Sequence, residues 1–148
     1  MINSARESFS PEEIEDIDIA IKNAEIDSSG EIRVHIENIC EGEVMNRAKE
    51  VFHTLKVEKT KLRNGVLFYL AIQNRKFAIL GDEGINSVVP KNFWDNIKMN
   101  MLNHLRDDDF VYGLCESIMM TGEELKKHFP YKKGDVNELP DEISFGSN

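Results

Sequence analysis

The stretch from Asn64 to Ile85 constrains the fold most, because it contains the longest uninterrupted apolar run in the chain. Val66 to Ile72 is apolar throughout, which is typical of a strand buried on both faces, since a half-buried strand alternates. A turn at Asn74-Arg75 separates this run from a second one, Phe77 to Leu80, so the stretch predicts an antiparallel hairpin. The hairpin ends on Gly81-Asp82-Glu83-Gly84, a glycine-flanked acidic loop that is the most informative feature for function.

Composition limits the class of protein. The 148 residues fit one domain with a real core, and 41% apolar and 30% charged residues are ordinary for a globular protein. A net charge of −9 argues against nucleic acids and anionic membranes as partners, since both require basic surfaces. Two cysteines, Cys40 and Cys115, form no disulfide framework and favour a reducing compartment. With no apolar leader and no run near the roughly 20 residues that span a bilayer, we expect a soluble, cytoplasmic protein without a membrane segment.

Helices surround the hairpin in the predicted order of elements. Ser10-Pro11-Glu12-Glu13 has the pattern of a helix start, with a capping serine, a proline in the first turn and a glutamate three residues on. Further helical periods cover Glu43 to Leu55, Pro90 to Leu105 and Phe110 to Phe129, where Pro130 ends the last one. The remaining residues, 131–148, form a polar acidic tail that we expect to pack loosely, outside a domain of residues 1–130.

Glu31 to Glu37 alternates strictly between polar and apolar residues, which predicts a strand with one apolar face. Its polar face suggests a position near a sheet edge, where His35 would be solvated rather than catalytic. This strand, the following helix and Val66 to Ile72 predict a right-handed parallel crossover. The expected fold is therefore α/β: a small mixed sheet, made of a parallel β-α-β crossover and an antiparallel hairpin, sandwiched between helices.

This topology predicts where the acidic loop lies. The second strand of the hairpin runs backwards, so its exit lies at the sheet edge where the two parallel strands begin. Glu31, Asn64, Asp82 and Glu83 should therefore meet on one rim, an oxygen-rich site suited to a hard divalent cation such as calcium. Asp82 has an equally good structural interpretation, as a turn residue that caps the segment after it.

Asp107-Asp108-Asp109 supplies further carboxylates, although one of them as the N-cap of the last helix is the simpler interpretation. A simple layout sends the preceding helix away from the rim, unless the segment from Ile85 to Pro90 crosses over. The chain contains no phosphate-binding P-loop, no Gly-x-Ser-x-Gly elbow and no pair of histidines at metal-binding spacing on a helix.

The same segments resemble the TPM domain family, which includes acid-phosphatase-like proteins of the thylakoid lumen, and the chain looks like a soluble bacterial member. The resemblance extends from about Phe9 to Phe129 and rests on the order and spacing of five short segments: Ser28-Ser29-Gly30-Glu31-Ile32-Arg33-Val34, Asn64-Gly65-Val66-Leu67, Arg75-Lys76, Gly81-Asp82-Glu83-Gly84-Ile85, and Asp109-Phe110 with Gly113-Leu114. The chain departs from the family in having Asn74 where an acidic residue usually precedes the hairpin arginine. Many members also carry a signal peptide and a membrane segment, and we expect neither in this chain.

The resemblance implies an α/β sandwich that binds calcium or another divalent cation. By this resemblance, Asp82 would be the first metal ligand, followed by Glu31 and Asn64. Asp107 and Asp109 would come last. For this chain the leading hypothesis is a cation-binding TPM-like domain. The alternatives are a weak metal-assisted acid phosphatase, in line with the plant member, and an adaptor that recruits a protein partner through its tail or its basic loop, Lys56 to Arg63.

Overall fold

A computed structural model of the chain describes residues 5–132, 137, 139–140 and 143–146. The helices are α1 (Pro11–Glu25), α2 (Val44–Thr54), α3 (Glu83–Asn86), α4 (Phe93–Arg106) and α5 (Phe110–His128), with 3-10 turns at Ala5–Ser8 and Val57–Lys59. The strands are β1 (Glu31–Glu37), β2 (Gly65–Ala71), β3 (Lys76–Gly81) and β4 (Ser144–Phe145). They form one sheet in the order β3-β2-β1-β4.

The sheet has the predicted mixed topology. β1 and β2 pair in parallel from Glu31 opposite Gly65 to Glu37 opposite Ala71, and β2 pairs antiparallel with β3. Helices α1, α4 and α5 pack on one face of the sheet and α2 packs on the other. The expectation of an α/β fold with a small mixed sheet between helices is confirmed, as is the hairpin, whose connection spans residues 72–75.

Side-chain alternation divides the core into two layers. Val66, Phe68 and Leu70 of β2 join the larger cluster under α1 and α5, whereas Leu67 and Tyr69 join the smaller cluster under α2. All seven residues of β2 are buried. β2 is therefore apolar throughout because both of its faces are buried, as inferred from the sequence.

β1 is not the exposed edge strand that its alternation suggested. All seven of its residues are buried, including Glu31, Arg33, His35 and Glu37, and β4 pairs with its outer side at His35 and Ile36. The prediction of a solvated His35 is therefore wrong. α2 and the C-terminal segment cover the polar face of β1. Residues of these two segments bond to its charged side chains, which are therefore kept from solvent.

The expectation of a loosely packed tail is also wrong for the described part of residues 131–148. Leu139 is 7% exposed, and the carbonyl oxygen of Pro140 accepts a hydrogen bond of 3.0 Å from Arg33. Gly146 donates its backbone N–H to the carbonyl of Ile36 at 2.8 Å. Residues 133–136, 138, 141–142 and 147–148 of this segment lie outside the described residues.

Candidate cation site at the strand-end rim

The three loops that topology was expected to join do meet at one end of the sheet. The backbone N–H of Glu31 donates to the carbonyl of Asn64 at 3.4 Å, and that of Asp82 donates to the carbonyl of Gly65 at 2.9 Å. The side-chain amide of Asn64 donates to the hydroxyl of Ser29 at 3.4 Å. We call Ser29, Glu31, Asn64 and Asp82 the rim.

Burial distinguishes the rim from an ordinary loop surface. Glu31 is 2% exposed, Asn64 is 1% exposed and Asp82 is 6% exposed. Within the part of the chain that the structure describes, the side-chain oxygen Oδ1 of Asn64 is buried and has no hydrogen-bond partner. Leaving such an oxygen unbonded costs about 1–3 kcal/mol relative to one that is solvated or bonded, so we expect it to accept a hydrogen bond from water or to contact a cation.

The carboxylate of Asp82 is already engaged. Oδ2 accepts from Nε of Arg63 at 2.6 Å, and Oδ1 accepts from Nη2 of Arg63 and from the backbone N–H of Glu83, each at 2.8 Å. Asp82 therefore caps α3, as its alternative interpretation proposed. Donation of hydrogen bonds to the carboxylate of Asp82 raises the pKa of Arg63 above its usual value, so the guanidinium stays charged.

Glu83 lies at the outer margin of the rim. Its side chain is 73% exposed, and its nearest charged partner is Nη1 of Arg63 at 3.2 Å. An exposed pair of this kind contributes little to stability, because water competes for both charges. Glu83 is therefore near the predicted site but is not enclosed by it.

Asp107 and Asp109 lie at the other end of β3, away from the rim. Arg75, which precedes β3, donates to the carbonyl of Leu105 at 2.8 Å and lies 3.7 Å from the carboxylate of Asp108. Asp107 follows α4 and Asp109 precedes α5 in the same corner. The carboxylate of Asp109 pairs with His104 at 2.9 Å and raises the pKa of that imidazole. The structure therefore does not bring these two aspartates to Asp82.

A cavity of about 430 Å³ opens beside the rim. Of the rim residues, Ser29 and Glu31 line this cavity. Its wall also includes Asp27 and Ser28 of the loop between α1 and β1, Lys22 of α1 and Asn137 of the C-terminal segment. The donors available are carboxylate, hydroxyl and amide oxygens. Among the described residues there is no cluster of three or more His, Cys, Asp or Glu side chains arranged to hold a metal. These oxygens therefore surround an open cavity and belong to several kinds of group, unlike the carboxylates of a closed metal-binding cage.

A second polar cluster, which the sequence patterns did not predict, lies on the α2 side of β1. Glu37, which is 0% exposed, accepts hydrogen bonds from Tyr69 at 2.6 Å, from Nε of Arg47 at 3.1 Å and from His35 at 3.0 Å. Nδ1 of His35 lies 2.9 Å from the hydroxyl of Ser144. Burial alone would raise the pKa of Glu37, but the bonds from Arg47, Tyr69 and His35 lower it to about 2. The signal in the sequence was the alternation of charges along β1.

The pKa of His35 gives the stability a dependence on pH. Burial lowers this pKa below 6.5, more than the hydrogen bond to Glu37 raises it. As the pH falls below 6.5, the unfolded chain therefore binds a proton that the folded chain binds less readily, and the free energy of unfolding decreases. We expect wild type to lose more stability than His35→Gln between about pH 7.5 and pH 5.5, measured by urea denaturation. Equal losses in the two proteins would contradict this assignment.

Comparison with protein-family models shows a match to the TPM domain over residues 2–124. No curated protein sequence matches the chain. None of the helices in the described residues is long and apolar enough to cross a membrane.

Among solved structures, the chain is similar to the BA42 protein of Bizionia argentinensis, with 46% identity and a TM-score of 0.86 over 93% of this chain and 95% of that one. The N-terminal domain of the cg2496 protein of Corynebacterium glutamicum shares 14% identity at a TM-score of 0.66, covering 89% and 82%. The N-terminal domain of a P. gingivalis protein shares 19% identity at 0.67, covering 84% and 82%. The last two comparisons show the shared fold.

Proposed function

The chain belongs to the TPM domain family, and from that premise we propose that it binds a divalent cation, calcium in particular, at the rim. The observation that carries the proposal is the buried Oδ1 of Asn64, which has no hydrogen-bond partner among the described residues. An ordered water would also satisfy this oxygen. The neighbouring carboxylate of Glu31, 2% exposed and lining the same cavity as Asp27, favours a cation instead.

The donor set fits a hard cation. Calcium takes six to eight oxygen ligands from carboxylates, amide carbonyls, hydroxyls and water, and tolerates irregular geometry. Glu31, Asn64 and Ser29 would hold it, with water completing the shell through the open cavity. When bound, the cation would supply positive charge that neutralises Glu31 and polarises an oxygen of any ligand beside it. Few protein donors and an open cavity support weak, reversible binding.

Asp82 has a secondary place in this proposal. Its two oxygens are held by Arg63 at 2.6 Å and 2.8 Å, so a cation could recruit Asp82 only after the guanidinium moves away. The order of importance expected from the family resemblance, with Asp82 first, therefore changes to Glu31 and Asn64 first. Asp107 and Asp109 belong to a different corner of the molecule and are left out of the site.

A calcium titration followed by amide chemical shifts tests this proposal. We expect shifts at residues 29–31 and 64–65, reversed by a chelator, and smaller shifts at residues 81–84. Glu31→Gln removes one ligand charge at nearly constant volume and should weaken binding by about tenfold or more. Glu83→Gln is the matched control, because the exposed Glu83 should leave the affinity unchanged. No shifts at the rim in wild type, or equal weakening by both variants, would refute the site.

The phosphatase and adaptor alternatives stay predictions, since no contact among the described residues favours either. The adaptor hypothesis needs a point variant rather than a deletion after Pro130. Such a deletion would also remove β4 and the buried Leu139, so loss of a partner would not be separable from loss of structure. Charge reversal at the exposed Lys59 in the basic loop avoids this problem.

A further inference from the structure

A second cavity lies at the end of the sheet opposite the rim. It has a volume of about 410 Å³ and is bounded by the β2–β3 turn, the first turn of α1 and the corner between α4 and α5. Its apolar lining includes Phe9, Leu70, Phe77 and Phe110. Leu70 and Phe77 are 2% and 8% exposed, so they belong to the wall of the main core. This volume lies in the lower part of the range found for small-molecule sites, about 300–1,000 Å³.

Two sequence segments that the cation site does not use meet at this cavity. Arg75-Lys76 lies at the start of β3 and Asp109-Phe110 at the start of α5, and Arg75, Lys76 and Phe110 all line the cavity. Lys76 and Phe110 are 34 residues apart in sequence, and the fold brings the two segments together at the cavity. The cavity thus has an apolar wall and the guanidinium of Arg75 at its margin, whereas the ammonium group of Lys76 donates to the carbonyl of Gly42 at 3.2 Å.

Two acidic residues, Glu13 and Asp108, also line the cavity, and each is engaged in a different way. The carboxylate of Glu13 accepts the backbone N–H of Ser10 at 2.9 Å in the capping box of α1. The side chain of Asp108 is 86% exposed and lies 3.7 Å from Arg75, whose own side chain is 58% exposed. An ion pair this long and this exposed is weak and exchanges readily for another anion. Nη2 of Arg75 also donates to the carbonyl of Leu105 at 2.8 Å, so the remaining N–H groups of the guanidinium are the ones offered to a ligand from solvent.

From this placement we propose that the cavity binds a small amphiphilic carboxylate. Its apolar body, of one or two rings, would pack against Phe9, Phe77 and Phe110, where aromatic contact adds to the burial of apolar surface. Its carboxylate would take the place of Asp108 on the guanidinium of Arg75, which offers planar paired donors suited to a carboxylate. This site is separate from the cation site and does not depend on it.

Binding of 2-naphthoate and of 2-naphthol, followed by amide chemical shifts, tests the proposal. The two probes share their ring system, and only the first is an anion near neutral pH. We expect 2-naphthoate to bind wild type more tightly, with shifts at residues 8–9, 76–77 and 110–111. Arg75→Gln should lower the affinity for 2-naphthoate by about tenfold and leave the affinity for 2-naphthol unchanged, because only the carboxylate loses a charged partner. Arg106→Gln is the matched control, since Arg106 is exposed and does not line the cavity.

Val111→Phe gives an independent readout, because Val111 lines the cavity and a larger side chain there fills it. This variant should lower the affinity for both probes, while the amide chemical shifts of residues far from the cavity stay unchanged. Two results would overturn the proposal. One is the absence of shifts around the cavity at millimolar 2-naphthoate, and the other is equal affinity of 2-naphthoate for wild type and Arg75→Gln.

Discussion

Glu37→Gln is expected to lower the free energy of unfolding by about 3 kcal/mol, because it breaks a buried ion pair and leaves its partners under-bonded. In the folded protein the carboxylate of Glu37 accepts from Arg47, His35 and Tyr69 and is 0% exposed. A neutral amide offers one acceptor oxygen in place of two and brings an N–H₂ group towards donors. The Arg47 side chain is 35% exposed and can recover some hydration, so we expect the lower end of the range for a broken buried pair.

Urea denaturation at neutral pH measures this loss, and Glu50→Gln is the control. Glu50 pairs with the same Arg47, at 3.3 Å, but its side chain is 68% exposed. Removing an exposed partner should cost less than about 0.5 kcal/mol. If Glu37→Gln were as stable as Glu50→Gln, the cluster would contribute no more to stability than a surface pair, and the expected cost of breaking this buried pair would be wrong.

The local elements of this chain follow from its sequence, because their signals lie within one turn or one strand. The capping box at Ser10 and Glu13 is present in both directions, at 3.1 Å and 2.9 Å, as its spacing predicts. The apolar run of β2 and the hairpin follow in the same way. The meeting of Glu31, Asn64 and Asp82 was also predictable, since it depends only on strand direction.

Pairings between distant residues could not be inferred in this way. Alternating charges on β1 normally indicate solvent, and nothing within β1 shows that Arg47 and Tyr69 cover them. β4 is a two-residue strand in a polar segment, too short for any periodicity to reveal. The Arg63–Asp82 pair joins residues 19 apart in sequence, and its arginine occupies the carboxylate that seemed the best metal ligand. The meeting of the three loops was therefore predicted correctly, whereas the engagement of Asp82 by Arg63 could be seen only from the side chains.

Gly84→Ala is expected to lower the free energy of unfolding by about 3 kcal/mol, through a clash that the backbone cannot avoid. A Cβ on Gly84 would lie 2.1 Å from the carbonyl oxygen of Leu62 and 2.6 Å from that of Arg63. The N–H of Gly84 also donates to the carbonyl of Arg63 at 2.8 Å, so α3 is bonded to the very segment that the new methyl group would displace. Both obstacles are backbone atoms, and relief requires the two segments to separate.

Gly42→Ala provides the comparison for Gly84→Ala, measured by the same denaturation experiment. A Cβ at Gly42 would meet nothing within 4 Å, but the residue has φ of +77°, so only left-handed strain of about 1 kcal/mol applies. A loss at Gly84 no larger than at Gly42 would show that α3 and the loop before β2 are not in close contact. Because Asn64 directly follows Arg63 in that loop, Gly84→Ala should also weaken calcium-induced shifts at residues 64–65, whereas Gly42→Ala should preserve them. The stability of the fold and the geometry of the rim thus depend on the same close approach of two backbone segments.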